Sequence, residues 1–145
     1  MSASVIASTT AWARTIRRIV LERSFAAGVG HIWSNLCVAE ILAVLYGRVL
    51  RAAGPNDPDR DRLVLSKGHA ALALYAALHL RGWLQSTDLD EFFQDGGRFG
   101  VHPEMGIPGV DFATVSLCMG LGFGTGAALA ARLQGSSRRI FVIIS

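Results

Sequence analysis

The chain is 145 residues long, 51 % hydrophobic and 17 % charged, which suits one domain, or part of one, with a sizeable core and lies far from the disordered class. Fourteen Lys plus Arg against eleven Asp plus Glu give a formal charge of +3. The basic residues are scattered, in Arg17, Arg18, Arg48, Arg51, Arg138 and Arg139, rather than massed with aromatics, so nucleic-acid binding is not supported. Such a modest positive balance suits an anionic ligand such as a sugar phosphate or a diphosphate, and is equally what a solvated surface looks like.

The N-terminal MSASVIASTT meets its first arginine only at Arg14; without a charged start and a following apolar block it is not a signal peptide, and a cytoplasmic location is expected. Residues 10–27 read as a first helix, capped by Thr10, with Ile16, Ile19, Val20 and Leu21 turned inward and Gly28 ending it. The loop GVGHIWSN follows. The run CVAEILAVLYGRVL then has helical composition, with Ser34 or Asn35 as its cap and Gly47 near its end, and is expected to be mostly buried.

RAAGPNDPDRDR is a surface connection. Leu63, Val64 and Leu65 predict a brief strand that opens through Ser66 and Gly68 onto a helix from Ala70 to Leu80. Thr87, with Asp90 three positions on, signals a short helix with an acidic capping box. From Gly96 to Ala113 the chain is rich in glycine and proline and lacks periodicity, the mark of a long functional loop.

Residues 117–131 carry no charge and hold Gly120, Gly122, Gly124 and Gly126. At about 15 residues the segment is shorter than the roughly 20 a bilayer needs, so it predicts a buried, closely packed helix and no membrane span. IFVIIS at the end reads as a central parallel strand covered on both faces. Cys37 and Cys118 have no second thiol at metal or redox spacing and are expected to be reduced and packed.

Three of the four histidines stand beside glycine or proline in loops: His31 after Gly30, His69 after Gly68, and His102 before Pro103. Loop histidines of this kind can approach a ligand closely and titrate near neutral pH. His79 reads as a helix-surface or packing residue. Neither a G-x-G-x-x-G fingerprint nor a Walker loop is present, so the residues alone indicate a ligand-binding α/β domain.

The string RDRLVLSKGHAALALYAAL resembles the signature of the transketolase family. It is joined in order by GHIWSNLCVAEILAVLY, similar to that family's Gly-His-x-Gly-Gly-Ser-Leu-Ser helix start, by VHPE for Gly-His-Pro-Glu, and by PGVDFATVSLCMGLGFGTGAALAARL for Pro-Gly-Val-Glu and the Thr-Gly-Ser-Leu-Gly-Gln-Gly helix. The resemblance runs from about Leu21 to Ser145. It implies an α/β fold with a three-layer, parallel-sheet thiamine diphosphate-binding architecture, present over 1–145 as a single partial domain, the N-terminal part of the diphosphate-binding module.

The activity so implied is transfer of a two-carbon ketol unit between sugar phosphates with thiamine diphosphate and Mg2+, the cofactor lying between two chains. By position, His69 would contact the cofactor near its diphosphate and help proton transfer. His31 and His102 would hydrogen-bond the donor sugar, while Val115, Ser116 and Leu117 would present backbone and a leucine to the cofactor. The sequence departs from the family at Val115, Cys118, Trp33 and Val101, where the family has glycine, and at Met119, where it has glutamine.

The metal-binding Gly-Asp-Gly segment of the family has no counterpart here, since Ser145 stands at its first glycine. No metal ligand is therefore expected in this chain, and alone it is expected to be inactive. The implied partner is a separate C-terminal transketolase subunit or a second copy. The alternative reading is a non-catalytic relic or accessory protein that binds a partner through its apolar surface.

Overall fold

A computed structural model describes residues 3–145, with side chains from Ile6 onward. Helix α1, Ala3–Ala27, begins earlier than its sequence suggests, so Thr10 lies inside it rather than capping it. Ala13, Ile16, Ile19 and Val20 are buried on one stripe, the spacing of an amphipathic helix. Leu21, expected to face inward, is 49 % exposed because position 21 falls a step beyond that stripe. Gly28 ends the helix at φ +64°. Its N–H and that of Val29 reach back to the carbonyls of Phe25 and Ser24, a Schellman motif that needs left-handed backbone.

The next apolar run does not form one helix capped at Ser34 or Asn35. Those two residues lie inside a short helix α2, Ile32–Leu36. After Cys37 and Val38 comes α3, Ala39–Val44, continued by a wide π turn over Leu45–Val49. Residues 32–49 are apolar and long enough to cross a bilayer, but the breaks in the run and its burial of Ala39, Leu42, Ala43 and Tyr46 against α1 and α4 are those of a core element.

Strand β1, Arg62–Leu65, pairs in parallel with β2, Ile140–Ile143, in the register Arg62 with Ile140 through Leu65 with Ile143. Between them run a 3-10 turn over Gly68–Ala70, α4 at Ala71–Leu80, α5 at Ser86–Asp90, the irregular segment 96–118, and α6 at Met119–Leu133. Every residue of α4 from Ala71 to Leu78 is buried, as a helix that is apolar all round must be. The cap of α5 sits two residues earlier than expected: the Gln85 N–H donates to the Asp88 carboxylate at 2.7 Å.

Leu63, Leu65, Phe141 and Ile143 join the core that contains α1, α3 and α4, while Val64, Ile140 and Val142 meet α6. Helices thus cover both faces of a parallel sheet, the α/β arrangement expected. Among the described residues that sheet has two strands, so β2 is not the deeply covered central strand its composition suggests; Ile140 to Val142 are only half-buried.

α6 is likewise not buried. It meets the sheet through Gly120 and Gly124: a Cβ at 120 would stand 2.8 Å from Val64, and one at 124 would stand 2.3 Å from Val142. The other faces are open, with Leu133 79 % exposed. A stripe of missing side chains lets the helix backbone lie directly on the strands. Gly124→Ala is expected to lower stability, because that contact cannot be relieved without moving helix or strand. At Gly122, where a Cβ meets nothing within 4 Å, alanine is expected to add roughly 0.5–1 kcal/mol by better helix propensity. Chemical denaturation of the two variants reads the opposite signs.

The starts of both strands are clamped by Asp61, whose side chain is fully buried. Its carboxylate accepts the backbone N–H of Arg51 at 2.9 Å and of Arg139 at 2.7 Å, together with both guanidinium groups. Burial by itself raises the Asp61 carboxyl, but the side-chain hydrogen bonds from Arg139 and Arg51 and the two backbone N–H groups together outweigh it and hold the group well below the usual carboxylate range. A depressed carboxyl stabilises the fold fully above the unfolded-state value near 3.9, and that contribution is lost as pH falls toward the folded-state value. Asp61→Ala is expected to cost about 3–5 kcal/mol at neutral pH by leaving the clamp unpaired. Denaturation followed from pH 7 into the acid range is expected to show a shallower loss of stability with acid in the variant than in the parent.

Candidate functional site

The carboxyl end of β1 delivers the site. After Leu65 the chain passes through Ser66 and Lys67 into the turn carrying Gly68 and His69, and α4 begins two residues later. Gly68 is buried against the irregular segment: a Cβ there would lie 2.0 Å from the Thr114 carbonyl oxygen and 3.0 Å from Cδ2 of His102. Only a residue without a side chain lets these strands of backbone touch. Thr114 is itself fully buried, and its hydroxyl donates to the Leu65 carbonyl.

His31 arrives from the other side. It precedes α2 with left-handed backbone, φ +62°, and its ring lies 5.3 Å from that of His69, centroid to centroid. The link between them is Asn35, which is buried. Its amide N–H groups donate to the carbonyls of His31 at 2.9 Å and His69 at 3.2 Å, and its carbonyl oxygen accepts the Ala73 N–H at 2.8 Å. One amide side chain therefore fixes two histidine backbones and the first turn of α4.

His102 is placed by Tyr75 on α4, whose hydroxyl donates to the His102 carbonyl at 2.8 Å. The three loop histidines singled out by sequence thus converge around residue 68, although they come from positions far apart in the chain. His79 stands apart: its Nδ1 lies 3.0 Å from the Leu84 carbonyl in the turn after α4, a packing role as expected. Asn35, Thr114, Tyr75 and Lys67 are the members that the sequence analysis did not assign to the site. Their contacts all join segments distant in sequence, so no local pattern marks them.

Val115, Ser116 and Leu117 are exposed and lead from Thr114 to α6. Cys118, where the resembling family has glycine, keeps a left-handed backbone at φ +65°. Val101 packs against the hydrophobic core, so the bulk gained there is taken up by the interior. Trp33 is 83 % exposed. Both cysteines are exposed rather than packed, and the Lys67 Nζ donates to Cys37 Sγ at 3.0 Å.

The His69 imidazole titrates below its ordinary value. Burial is the largest cause, and the neighbouring His31, Lys67 and His102 charges add to it. At neutral pH its neutral form is favoured, so a ring nitrogen is free to accept a proton. In His31→Ala, proton NMR titration is expected to show His69 moving upward but stopping short of the ordinary value near 6.5, because burial and the Lys67 charge persist. An unchanged His69 midpoint would show that the two rings do not interact.

Among the described residues there is no group of three or more His, Cys, Asp or Glu able to hold a metal ion. A diphosphate-bearing organic cofactor fits better. The site offers imidazole donors, the close-packed backbone around Gly68, and the N-terminus of α6, where Cys118 makes no side-chain capping bond, the Gly120 N–H donates to Ser66 Oγ at 2.9 Å, and the helix dipole favours an anion.

Comparison with known proteins shows the family of the chain. Residues 8–138 match the family described as "Transketolase, thiamine diphosphate binding domain". The chain is 40 % identical over 135 residues to the 6-deoxy-6-sulfo-D-fructose transketolase subunit SqwG of Clostridium sp. (strain MSTE9), covering 91 % of this chain and 49 % of that subunit. It is 32 % identical over 130 residues to a subunit of the apulose-4-phosphate transketolase of Phocaeicola vulgatus, covering 88 % and 46 %. The crystal structure of the Pichia stipitis transketolase complex with sedoheptulose-7-phosphate superimposes with a TM-score of 0.83 at 31 % identity, over 98 % of this chain and 22 % of that one. The chain therefore spans about half the length of the two subunits.

Proposed function

The chain belongs to the transketolase family through its thiamine diphosphate-binding domain, and we propose that residues 1–145 are the N-terminal part of that module in a transketolase-like subunit. On this reading it transfers a two-carbon ketol unit between sugar phosphates when complemented by the missing half, its partner being a separate C-terminal subunit or a second copy. The observation that carries the proposal is the convergence of His31, His69 and His102 on residue 68, which admits no side chain. The two subunit relatives are named for a sulfo-sugar and a sugar phosphate, which supports an anionic sugar as substrate. Because the relatives are transketolases and transketolase subunits, they favour the catalytic reading over that of an accessory protein.

Thiamine diphosphate, when bound, supplies the carbanion chemistry of ketol transfer. The chain's own residues would bind, orient and move protons. His69, whose neutral form is favoured by burial and by its cationic neighbours, would take a proton and return it beside the diphosphate. His31 and His102 flank it and would hydrogen-bond the hydroxyls of the donor sugar. Exposed backbone at Val115 and Ser116, with the Leu117 side chain, would meet the cofactor ahead of the α6 N-terminus. Mg2+ belongs to the proposal only as a metal whose ligands lie outside the described residues, and no step is assigned to it.

The test uses this chain extended through a Gly-Asp-Gly segment, in complex with a chain carrying the pyrimidine-binding half. His69→Ala is expected to weaken thiamine diphosphate binding, measured by calorimetry, and to slow turnover by about 100-fold or more. His31→Ala and His102→Ala are expected to raise the KM for donor sugar or lower kcat with cofactor affinity near that of the parent. Cofactor affinity lost in His31→Ala or His102→Ala but kept in His69→Ala would overturn these roles.

A further inference from the structure

The contact between Cys37 and Lys67 has no part in the chemistry above, and two features make it reactive. Cys37 is exposed, so an oxidant can reach its sulfur. An amine nitrogen already stands 3.0 Å away, within the distance of a nucleophilic attack. Lys67 is also the only lysine in the chain. The two residues sit on different segments, Cys37 just after α2 and Lys67 in the turn after β1, and these segments carry His31 and His69 respectively. We propose that Cys37 and Lys67 form a redox modification site, in which peroxide oxidation of the cysteine is followed by closure of a reversible sulfur–nitrogen bond to the lysine.

The chemistry balances with hydrogen peroxide as the oxidant. In the first step the sulfur attacks peroxide, the O–O bond breaks, the thiol becomes a sulfenic acid and one water leaves. The sulfur loses two electrons and the peroxide oxygen gains them. In the second step Lys67 releases a proton to solvent, and its neutral amine attacks the sulfenic sulfur. The S–N bond forms, the S–O bond breaks, and the hydroxyl leaves as a second water with a further amine proton. Sulfenic acids condense with a backbone nitrogen to a sulfenamide, and the neutral lysine amine is the stronger nucleophile of the two. A thiol reductant reverses the bond, giving back thiol and amine.

Closure ties the α2 segment to the turn after β1 on the side of the paired imidazoles. It also removes the Lys67 charge, which contributes, after burial and His31, to the depressed titration of His69. The inference does not depend on the proposed activity, since it concerns the chain's own covalent state.

A protease that cuts only after lysine provides a direct readout, because it divides the reduced chain once, at Lys67, and cannot act on a lysine whose amine is covalently occupied. After hydrogen peroxide treatment the parent chain is expected to resist that cut. After a second digestion on the carboxyl side of arginine, which cuts between the two residues at Arg48, Arg51, Arg60 and Arg62, mass spectrometry of the linked Cys37 and Lys67 peptides is expected to show two hydrogens fewer than their sum, with no oxygen retained, and reductant is expected to restore cleavage at Lys67. Cys37→Ser is expected to be cut like the untreated chain. Lys67→Arg, which keeps a cation beside the sulfur, is expected to yield a Cys37 sulfenic acid trapped by dimedone. Cys118→Ser is expected to resist cleavage as the parent does, which excludes a disulfide as the cause. Complete cleavage of the peroxide-treated parent, or equal resistance in Cys37→Ser, overturns the proposal.

Discussion

The arrangement depends first on one buried carboxylate. Asp61 sits immediately before β1 and holds the backbone N–H of Arg139 immediately before β2, while Arg62 N–H donates to the Arg139 carbonyl. With both strands pinned at their starts, the parallel register follows, and their carboxyl ends come out level. Hydrogen bonding alone leaves a two-stranded parallel pair weak. Here charge-assisted bonds from two arginines supply the constraint at one end, and the layers of helix on either face supply the rest. Every distance in the candidate site is measured from the end of a strand whose beginning is fixed in this way.

From that base the site is assembled by close approaches rather than by a cavity. Gly68 meets Thr114 and His102; Asn35 reaches the carbonyls of both His31 and His69; Tyr75 reaches the carbonyl of His102. The hydrogen bonds among these act on backbone, while the His102 ring itself packs against Gly68. The polar groups doing the positioning are buried and paired, which makes their geometry rigid. The histidines themselves are half-buried or exposed.

The sequence made some of this legible. The brief strand at Leu63 to Leu65, the helix behind it and the long segment from Gly96 to Ala113 could be read because apolar runs and glycine or proline punctuation are local signals. The strings around His31, His69 and His102 carried the family resemblance, and the family match agrees with it. What could not be read depends on partners distant in the chain. Asn35 looks like a helix cap, and its actual work is done across 34 residues to His69 and 38 to Ala73. The glycines of α6 suggested burial on all sides, because composition reports that a helix can be approached closely without saying on how many faces. Thr87 and Asp90 had the spacing of a cap, yet Gln85 and Asp88 make the hydrogen bond, since the turn after α4 fixes where the chain re-enters helix.

The double role of the Asn35 amide has a consequence for motion. Its side chain is shorter than any loop it joins, and it bonds three backbone groups directly. A displacement of the α2 segment larger than these hydrogen bonds can stretch therefore breaks them or moves the turn bearing His69 and the first turn of α4 with it. The backbones of His31 and His69 are thereby tied to one another through a single buried side chain.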